Sequence, residues 1–351
     1  MKIKIIGAGS IGNHMANASR SLSFDTTVTD ISEEALNRMK NEIYPKRYGK
    51  WDKQIKLFNY SQDDNKKYDL IIVGTPPDTH YKIVKNIIKQ KPRAILVEKP
   101  ICSPIKKEIK FFETFSKNRK INFFSGYNHT VGKSAKKVRD LLQKKKTGKI
   151  LTIDVDWREH WQGIFNAHPW LKGPSDSYLG YWRRGGGALS EHSHAINIWQ
   201  FFLKSQTNAN IKYVNANISY INQSNVDYDN LSLLNLKSSN NVLGRVVQDV
   251  VTMPIVKNAK ILTSSAFIEW HCERVKGYDE VIISYHNKGQ KKFVFKKTRA
   301  DDFIDELIHI KGIMNGKLKN DSPISIKEAI QTMKVISAAH KSSKTKKNIE
   351  I

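Results

Sequence analysis

The chain has 351 residues, more than one ordinary hydrophobic core holds, and this length predicts about two domains. Its net charge is +26, but the basic residues are mostly lysines spread along the chain, so nucleic-acid binding is not favoured as the main function. Two cysteines supply neither a disulfide framework nor a thiolate metal cluster. This cysteine usage makes a reducing cytoplasm the expected location. No apolar run approaches the ~20 residues of a membrane span, so no membrane partner is expected.

The first strand and turn predict a dinucleotide site. A short strand over 2–6 leads directly into a GxGxxG turn and a helix expected over 13–21. Glycines permit the tight turn and the close approach of a pyrophosphate, and the amides of the helix point at the phosphates. A plain glycine turn is the alternative. The predicted cofactor-binding residues of this turn are Gly7, Gly9, Ser10, Ile11 and Gly12.

The second strand, expected over 26–29, ends at Asp30. This position is close to the ~20-residue spacing at which a carboxylate binds the adenosine ribose. Its negative charge favours a ribose 2′-hydroxyl and repels a 2′-phosphate, so NAD is preferred over NADP. Arg38, on a helix expected over 32–39, is the basic side chain that could approach a 2′-phosphate. An aspartate that only caps this helix is the alternative.

A third strand, over 69–73, is followed by the turn Gly74-Thr75-Pro76-Pro77 and a helix over 79–90. Prolines suit the start of a helix and hold the backbone beside a cofactor. Thr75, Pro76 and His80, in the first helical turn, are therefore candidate cofactor contacts. A purely structural histidine is the alternative for His80.

The stretch AILVEKP, residues 94–100, is a buried strand that ends in Glu98-Lys99-Pro100. In open α/β sheets, ligands bind beyond the carboxyl ends of the strands, so Lys99 can face cofactor and substrate together, with Glu98 beside the cofactor. A solvated strand end is the alternative. A helix over 103–118 and a strand over 121–126 follow. This alternation predicts a doubly wound parallel sheet, with 1–125 as a dinucleotide-binding domain and 126–351 as a substrate domain.

The second half has long strands with a two-residue apolar period and short polar connections, which predicts a largely antiparallel sheet covered on one face. Two helices, over 302–316 and 326–342, close the chain. The predicted strands are 151–157, 211–221, 231–236, 242–251, 260–270, 280–285 and 292–295.

The segment 158–199 is the richest in site chemistry. Its aromatic rings can cover the C–H faces of a sugar, while imidazole and guanidinium groups bind hydroxyls; dense aromatics could also be plain core. The candidates of this kind are His168, Trp170, Arg183 and Arg184.

A helix expected over 188–203 follows Gly185-Gly186-Gly187 and places Ser190, Glu191, His194 and Asn197 on one face. A helix does not bury so many polar groups without a task. A solvated polar stripe is one alternative, and a zinc site using His192, His194 and an outlying His160 or His168 is another. Because neither HExxH nor a cysteine pair is present, no metal is expected.

Taken in order, these motifs together with Tyr127-Asn128-His129 resemble the Gfo/Idh/MocA family of NAD(P)-dependent sugar and polyol oxidoreductases, over essentially the whole chain. The resemblance implies a Rossmann domain followed by an α/β domain whose open, mostly antiparallel sheet also serves homo-oligomerisation, as a dimer or tetramer. It implies Lys99 and His194 as catalytic residues. The substrate contacts that accompany it here are Tyr127, Asn128, Glu191 and Asn197.

The chain departs from the family pattern near His194. The family usually places an aspartate four residues before this histidine, whereas here Ser190 holds that place and Glu191 lies three residues before it. Thr130 stands where many members have arginine, and Asn197 where an aspartate is common. With these features the chain resembles the branch found with cell-surface sugar biosynthesis.

The resemblance implies reversible hydride transfer between NAD and a secondary alcohol or ketone of a sugar, sugar derivative or nucleotide sugar. A histidine with an ordinary pKa of ~6.5, such as His194, is suited to take the hydroxyl proton. Lys99 would stabilise the developing negative charge. The net charge of +26 hints at an acidic or phosphorylated substrate. The alternative function is an NAD-binding regulator or subunit without catalysis.

Overall fold

The structure, a computed structural model, describes residues 1–62, 66–117, 120–223, 225–286, 288–318 and 321–351. The first half forms a parallel sheet in the order β3-β2-β1-β4-β5-β6. Its strands are β1 (Lys2–Ile6), β2 (Asp25–Asp30), β3 (Lys56–Asn59), β4 (Leu70–Val73), β5 (Ala94–Val97) and β6 (Asn122–Ser125). Its helices are α1 (Ser10–Ser21), α2 (Glu33–Arg38), α3 (Tyr44–Tyr48), α4 (Pro77–Ile87) and α5 (Lys106–Phe115).

This sheet confirms the predicted Rossmann fold. Strands β4 and β5 are fully buried, as expected of apolar parallel strands covered by helices on both faces. The chain order reverses beside β1, so the crevice for a ligand opens at the carboxyl ends of β1 and β4. The sequence analysis missed β3 and α3. The end of the helix predicted over 103–118 falls on residue 118, which lies outside the described residues.

The second half builds a sheet in the order β14-β13-β12-β11-β7-β10-β9-β8-β15, in which β7 and β10 pair in parallel and the other neighbours are antiparallel. The prediction of a mostly antiparallel second sheet is confirmed. Its strands are β7 (Ile150–Arg158), β8 (Ile211–Gln223), β9 (Val226–Ser238), β10 (Leu243–Asp249), β11 (Val256–Thr263), β12 (Ala266–Val275), β13 (Tyr278–Tyr285), β14 (Gly289–Lys296) and β15 (Ile349–Glu350). The helices of this half are α6 (Lys133–Leu142), α7 (Trp161–Ala167), α8 (Gly187–Glu191), α9 (His194–Lys204), α10 (Arg299–Met314) and α11 (Ile326–Thr345).

The single strand predicted over 260–270 is wrong, because the chain turns between β11 and β12. The hydroxyl of Thr263 accepts a hydrogen bond from the amide of Ala266 at 2.9 Å and donates to the Ala266 carbonyl at 2.8 Å. A local side-chain bond of this kind lets a threonine close a turn inside an apolar run. A prediction from apolar periodicity alone therefore merged β11 and β12, which form a hairpin, into one strand.

The single helix predicted over 188–203 is also wrong, because it is interrupted at His192 and Ser193 between α8 and α9. The amide of Ala195 bonds the His192 carbonyl, three residues back, instead of the Glu191 carbonyl, four residues back. The interruption therefore frees the Glu191 carbonyl from the helix. This freed group belongs to the site described below.

The closing helices return to the first sheet. Phe303 of α10 stacks on His14 of α1 with ring centroids 4.7 Å apart. The amide of Ser125, at the end of β6, bonds the carbonyl of Ile324 at 2.8 Å. These contacts pack the last part of the chain against the dinucleotide-binding half. Within the described residues, no helix is both long and apolar enough to cross a bilayer.

Candidate active site

The GxGxxG turn has the geometry that a pyrophosphate needs. Gly7 has φ +110°, and a Cβ at Gly12 would lie 2.0 Å from the Gly7 carbonyl oxygen, so both positions require glycine. A Cβ at Gly9 would meet no atom within 4 Å, which leaves open space in front of the turn. The amides at the start of α1 border that space, as an anion site at a helix N-terminus requires.

Asp30 is fixed at the end of β2 next to this turn. Its Oδ2 accepts a hydrogen bond from the amide of Ala8 at 2.7 Å, and its Oδ1 accepts one from the amide of Ser32 at 2.9 Å. The helix cap is Ser32, whose hydroxyl accepts from the amide of Ala35. Asp30 is therefore not the side-chain cap of α2, and its carboxylate is held at the crevice with lone pairs available for a ribose.

Two buried acceptors have no hydrogen-bond partner: Oε1 of Glu98, just after β5, and Oδ1 of Asn128, just after β6. Burial raises the pKa of Glu98 to about 7, although Lys99 opposes this shift. A Cβ at Gly126 would lie 2.4 Å from Glu98 Oε2, so only glycine leaves room for this carboxyl group. Orphaned buried acceptors beside a Rossmann crevice fit the amide donors of a nicotinamide carboxamide. The residues present therefore suit NAD.

His80 is not the cofactor contact that the sequence predicts. The ring is fully buried, with Nε2 at 2.8 Å from the carbonyl of Thr75 and Nδ1 at 3.3 Å from that of Ile101. These contacts leave neither nitrogen for a cofactor and tie the turn after β4 to the turn after β5. Burial lowers the pKa of His80 to about 4. Thr75 is half-buried and Pro76 exposed at the start of α4, where both can border a cofactor.

Lys99 joins the two halves of the molecule. Its Nζ donates to the freed Glu191 carbonyl at 2.8 Å and to Glu191 Oε1 at 3.0 Å. The hydroxyl of Tyr178 donates to the other carboxylate oxygen of Glu191 at 3.3 Å. Burial raises the pKa of Glu191, but the charges of Lys99 and His192 outweigh burial, and the net pKa lies below its ordinary value. Glu191 is thus a carboxylate that holds the ammonium of Lys99 in place.

His194 is held by aromatic rings. Trp157 of β7 stacks on it at 5.3 Å, and His129 and Tyr127 meet it edge-on at 4.6 and 5.5 Å between centroids. The hydroxyl of Tyr127 donates to Ser193 at 3.1 Å, which fixes the interruption just before α9. Edge-on and offset stacked contacts orient a ring as well as bury it. The rings therefore set the direction of the His194 imidazole.

The surroundings favour the neutral form of His194. Burial lowers its pKa well below the ordinary value, and charge on His129, Lys99, Arg299 and Lys257 acts in the same direction. A neutral imidazole can accept a proton, so this environment keeps His194 in the form that a general base requires.

Three predicted substrate contacts have other partners. The amide of Asn197 donates to Thr332 of α11 at 3.3 Å in the interior. The guanidinium of Arg183 lies over the Trp182 ring at 4.3 Å, and that of Arg184 pairs with Asp78 at 2.7 Å. Arg184 thereby connects the segment before α8 to α4 of the first domain. The interruption between α8 and α9 explains why Asn197 does not share a face with Ser190 and Glu191, because residues on the two sides of the interruption do not follow one helical periodicity.

His168 and Trp170 lie on the segment after α7. Nδ1 of His168 bonds the Ile164 carbonyl at 2.7 Å, and the two rings meet edge-on at 5.2 Å. Arg38 of α2 lies over the Trp170 ring at 4.8 Å, so this segment reaches across to the first domain. Burial lowers the pKa of His168, while the charge of Glu191 raises it, which places the ring within the electrostatic field of the site.

Sequence reasoning missed two charged residues beside His194 and Trp157, namely Lys257 and Glu159. Lys257 of β11 pairs with Glu159 at 2.7 Å, just beyond the end of β7, and the Lys257 ammonium lies 5.5 Å from the Trp157 ring centroid. A polar group directly after a strand was the available signal for Glu159. Lys257 carried no such signal, because it alternates within a strand. Among the described residues, no cluster of three or more histidines, cysteines and carboxylates is arranged to hold a metal.

Residues 1–127 match the model of an oxidoreductase family with an NAD-binding Rossmann fold, Gfo/Idh/MocA. Levoglucosan dehydrogenase in complex with NADH and levoglucosan is 14% identical, with a TM-score of 0.80 over 100% of this chain and 99% of that one. An NAD binding oxidoreductase from Klebsiella pneumoniae is 13% identical, with a TM-score of 0.80 and the same coverage. GenD2 from gentamicin A biosynthesis, in complex with NAD, is 15% identical, with a TM-score of 0.75 over 100% of this chain and 96% of that one.

No curated protein matches the chain by sequence. The Rossmann crevice, the glycine turn and the matched model define an NAD-binding oxidoreductase. Residues 1–127 are similar to the Gfo/Idh/MocA family model, and over this part of the chain the match confirms the resemblance noted in the sequence. The solved structures show that the whole chain shares their fold.

Proposed function

We propose that the protein oxidises a secondary alcohol of a sugar or sugar derivative, or reduces the corresponding ketone, with NAD as the hydride carrier. The observation that carries this proposal is the bond between Lys99, at the end of β5, and Glu191, three residues before His194. It brings a cation of the dinucleotide-binding half to the segment that holds a neutral imidazole. Levoglucosan dehydrogenase, which shares the fold, acts on a sugar derivative and supports this substrate class.

In this proposal, His194 takes the proton of the substrate hydroxyl while Lys99 donates a hydrogen bond to the same oxygen. Bound NAD supplies the hydride acceptor. Glu191 and Tyr178 hold the Lys99 ammonium in position, and the aromatic rings around His194 orient the imidazole. Asp30, Glu98, Asn128 and the glycine turn would hold the cofactor. Intact Lys99 and His194 favour catalysis over a non-catalytic regulator.

The experiment is steady-state reduction of NAD by a panel of polyols, sugars, sugar acids, sugar phosphates and nucleotide sugars. Turnover of at least one of them supports the proposal. A protein that binds NADH, seen as enhanced and blue-shifted fluorescence, yet turns over no member of the panel in either direction would instead be the regulator.

Asp30→Ala is expected to weaken NADH binding about tenfold or more, because the ribose loses its carboxylate partner and the turn loses the bond to Ala8. The same change should narrow the preference for NADH over NADPH, because the charge that repels a 2′-phosphate is removed. Fluorescence titration with both dinucleotides measures the two effects. Asp25→Ala, on the same strand but at its exposed beginning, is the control. Equal affinities in wild type would contradict the proposed preference for NAD.

We further propose that acidic and phosphorylated sugars belong to the substrate class. The half-exposed Arg299 at the start of α10 acts electrostatically on His194, Glu98 and Glu159.

A homo-oligomer, dimer or tetramer, is proposed to form through the open face of the second sheet, where Leu151, Leu233 and Leu262 are exposed. A cytoplasmic location is proposed because Cys102 and Cys272 are both buried free thiols.

A further inference from the structure

The Lys257–Glu159 pair lies beside the proposed reacting centre. His194 and Lys257 both contact the ring of Trp157. His194 stacks on this ring with the centroids 5.3 Å apart, and the ammonium of Lys257 lies 5.5 Å from the Trp157 centroid. Lys257 stands opposite Trp157 in the β7–β11 register, and Glu159 follows β7 after Arg158. Two lysine–glutamate pairs therefore lie around His194: Lys99–Glu191, which joins the two halves of the molecule, and Lys257–Glu159, which lies on the second sheet.

The pair keeps hydrogen-bonding capacity beyond its own contact. An ammonium has three N–H donors and a carboxylate has about four lone-pair sites, whereas the 2.7 Å contact between Lys257 and Glu159 uses one of each. Both side chains are largely but not fully covered, with 17% and 18% exposed. Ion pairs of this kind contribute little to the free energy of unfolding. A binding role accounts for them better than a stabilising one.

His192 supplies a third polar group at this place. It lies in the interruption two residues before His194, it is 3% exposed, and its Nε2 has no hydrogen-bond partner. Burial lowers its pKa to about 4, and the charges of Glu191, Glu159, Lys257 and Lys99 all act on it. A neutral imidazole nitrogen left without a partner in such surroundings is a group that a ligand can satisfy.

We propose that Lys257, Glu159 and His192 form a subsite that binds a second hydroxyl of the substrate while Lys99 and His194 engage the reacting one. The inference rests on the proposed function and narrows it: the substrate carries at least two hydroxyls close together, as polyols and sugars do. A hydroxyl can donate to Glu159 and accept from Lys257 at the same time. A carboxylate or phosphate cannot do so, because it has no proton to donate and is repelled by Glu159. This subsite therefore selects a neutral hydroxyl over an anionic substituent.

The test compares the double variant K257M/E159Q with wild type, using levoglucosan, L-sorbose, D-glucose and myo-inositol as probes. Changing both partners avoids leaving one charge buried without its counter-charge. The matched control is K204M/E328Q, because Lys204 and Glu328 form a pair of similar burial at 2.7 Å between α9 and α11. Binding of each probe is followed by NADH fluorescence in the enzyme–NADH complex, and turnover by NAD reduction.

For the best probe, K257M/E159Q is expected to raise KM about tenfold or more, since hydrogen bonds to charged groups are lost. Discrimination between that probe and its deoxy analogues should fall, because the site no longer selects for the second hydroxyl. The NADH dissociation constant and the control variant should stay at wild-type values. If K257M/E159Q keeps the wild-type turnover, the wild-type KM and the wild-type discrimination between the best probe and its deoxy analogues, the proposed subsite is wrong but the proposed function still stands. A wild-type protein that turns over neither these four probes nor any other member of the panel of polyols, sugars, sugar acids, sugar phosphates and nucleotide sugars would overturn both proposals.

Discussion

His194→Ala is expected to lower kcat by about 10²–10⁴-fold, the range that a positioned general base contributes. The dissociation constant for NADH should change by less than about threefold, because the ring contacts Trp157, His129 and Tyr127 rather than the glycine turn. The measurement pairs steady-state kinetics on the best substrate with fluorescence titration of NADH. His309→Ala, on the outer part of α10, is the matched control and should retain wild-type kcat.

The lowered pKa of His194 predicts the direction in which the pH dependence of alcohol oxidation shifts. Because burial and nearby cations lower the pKa of His194, the ring stays neutral below pH ~6.5, where an ordinary histidine would become protonated. The rate of alcohol oxidation should therefore not fall as the pH drops through that value, and its acidic limb should appear at lower pH. Full kcat in His194→Ala would remove this residue from the mechanism. An acidic limb near pH ~6.5 would contradict the lowering of the His194 pKa by burial and nearby cations.

Lys99→Ala is expected to lower kcat/KM by about 10²–10³-fold, because one preorganised donor to the developing negative charge is lost. Loss of the ammonium also leaves the buried Glu191 carboxylate without its counter-charge, so some loss of thermal stability should accompany the kinetic effect. The double variant K99M/E191Q separates these effects. It should recover stability but not activity.

Lys99→Arg is the conservative variant. The planar guanidinium cannot reproduce the point charge that Lys99 directs at both the carbonyl and the carboxylate of Glu191, so we expect little rescue of kcat. Wild-type activity in Lys99→Ala would show that the ammonium takes no part in the reaction.

Sequence was informative where local chemistry determines structure. The glycine turn, Asp30 and Lys99 each stand at the end of a short strand, and parallel strands in a doubly wound sheet bring their carboxyl ends to one edge. These positions follow from strand order, so the meeting of these residues at one edge of the sheet could be predicted without coordinates.

The substrate side could not be predicted to the same depth, because its contacts join distant parts of the chain. Lys257 meets Glu159 through the register of β11 against β7, which no local pattern encodes. The interruption at His192 is stabilised by Tyr127, about sixty-six positions earlier, through the bond to Ser193. For His80 the sequence position suggested a cofactor contact, but the ring is fully buried and its two nitrogens face backbone carbonyls.

A crystal structure of the protein with NADH and its best polyol substrate tests the central claim most directly. The account predicts one hydroxyl oxygen within about 3.5 Å of both Lys99 Nζ and a ring nitrogen of His194, with its carbon facing C4 of the nicotinamide. A substrate whose reacting oxygen contacts neither group, or is bound by Lys257 in place of Lys99, would contradict it.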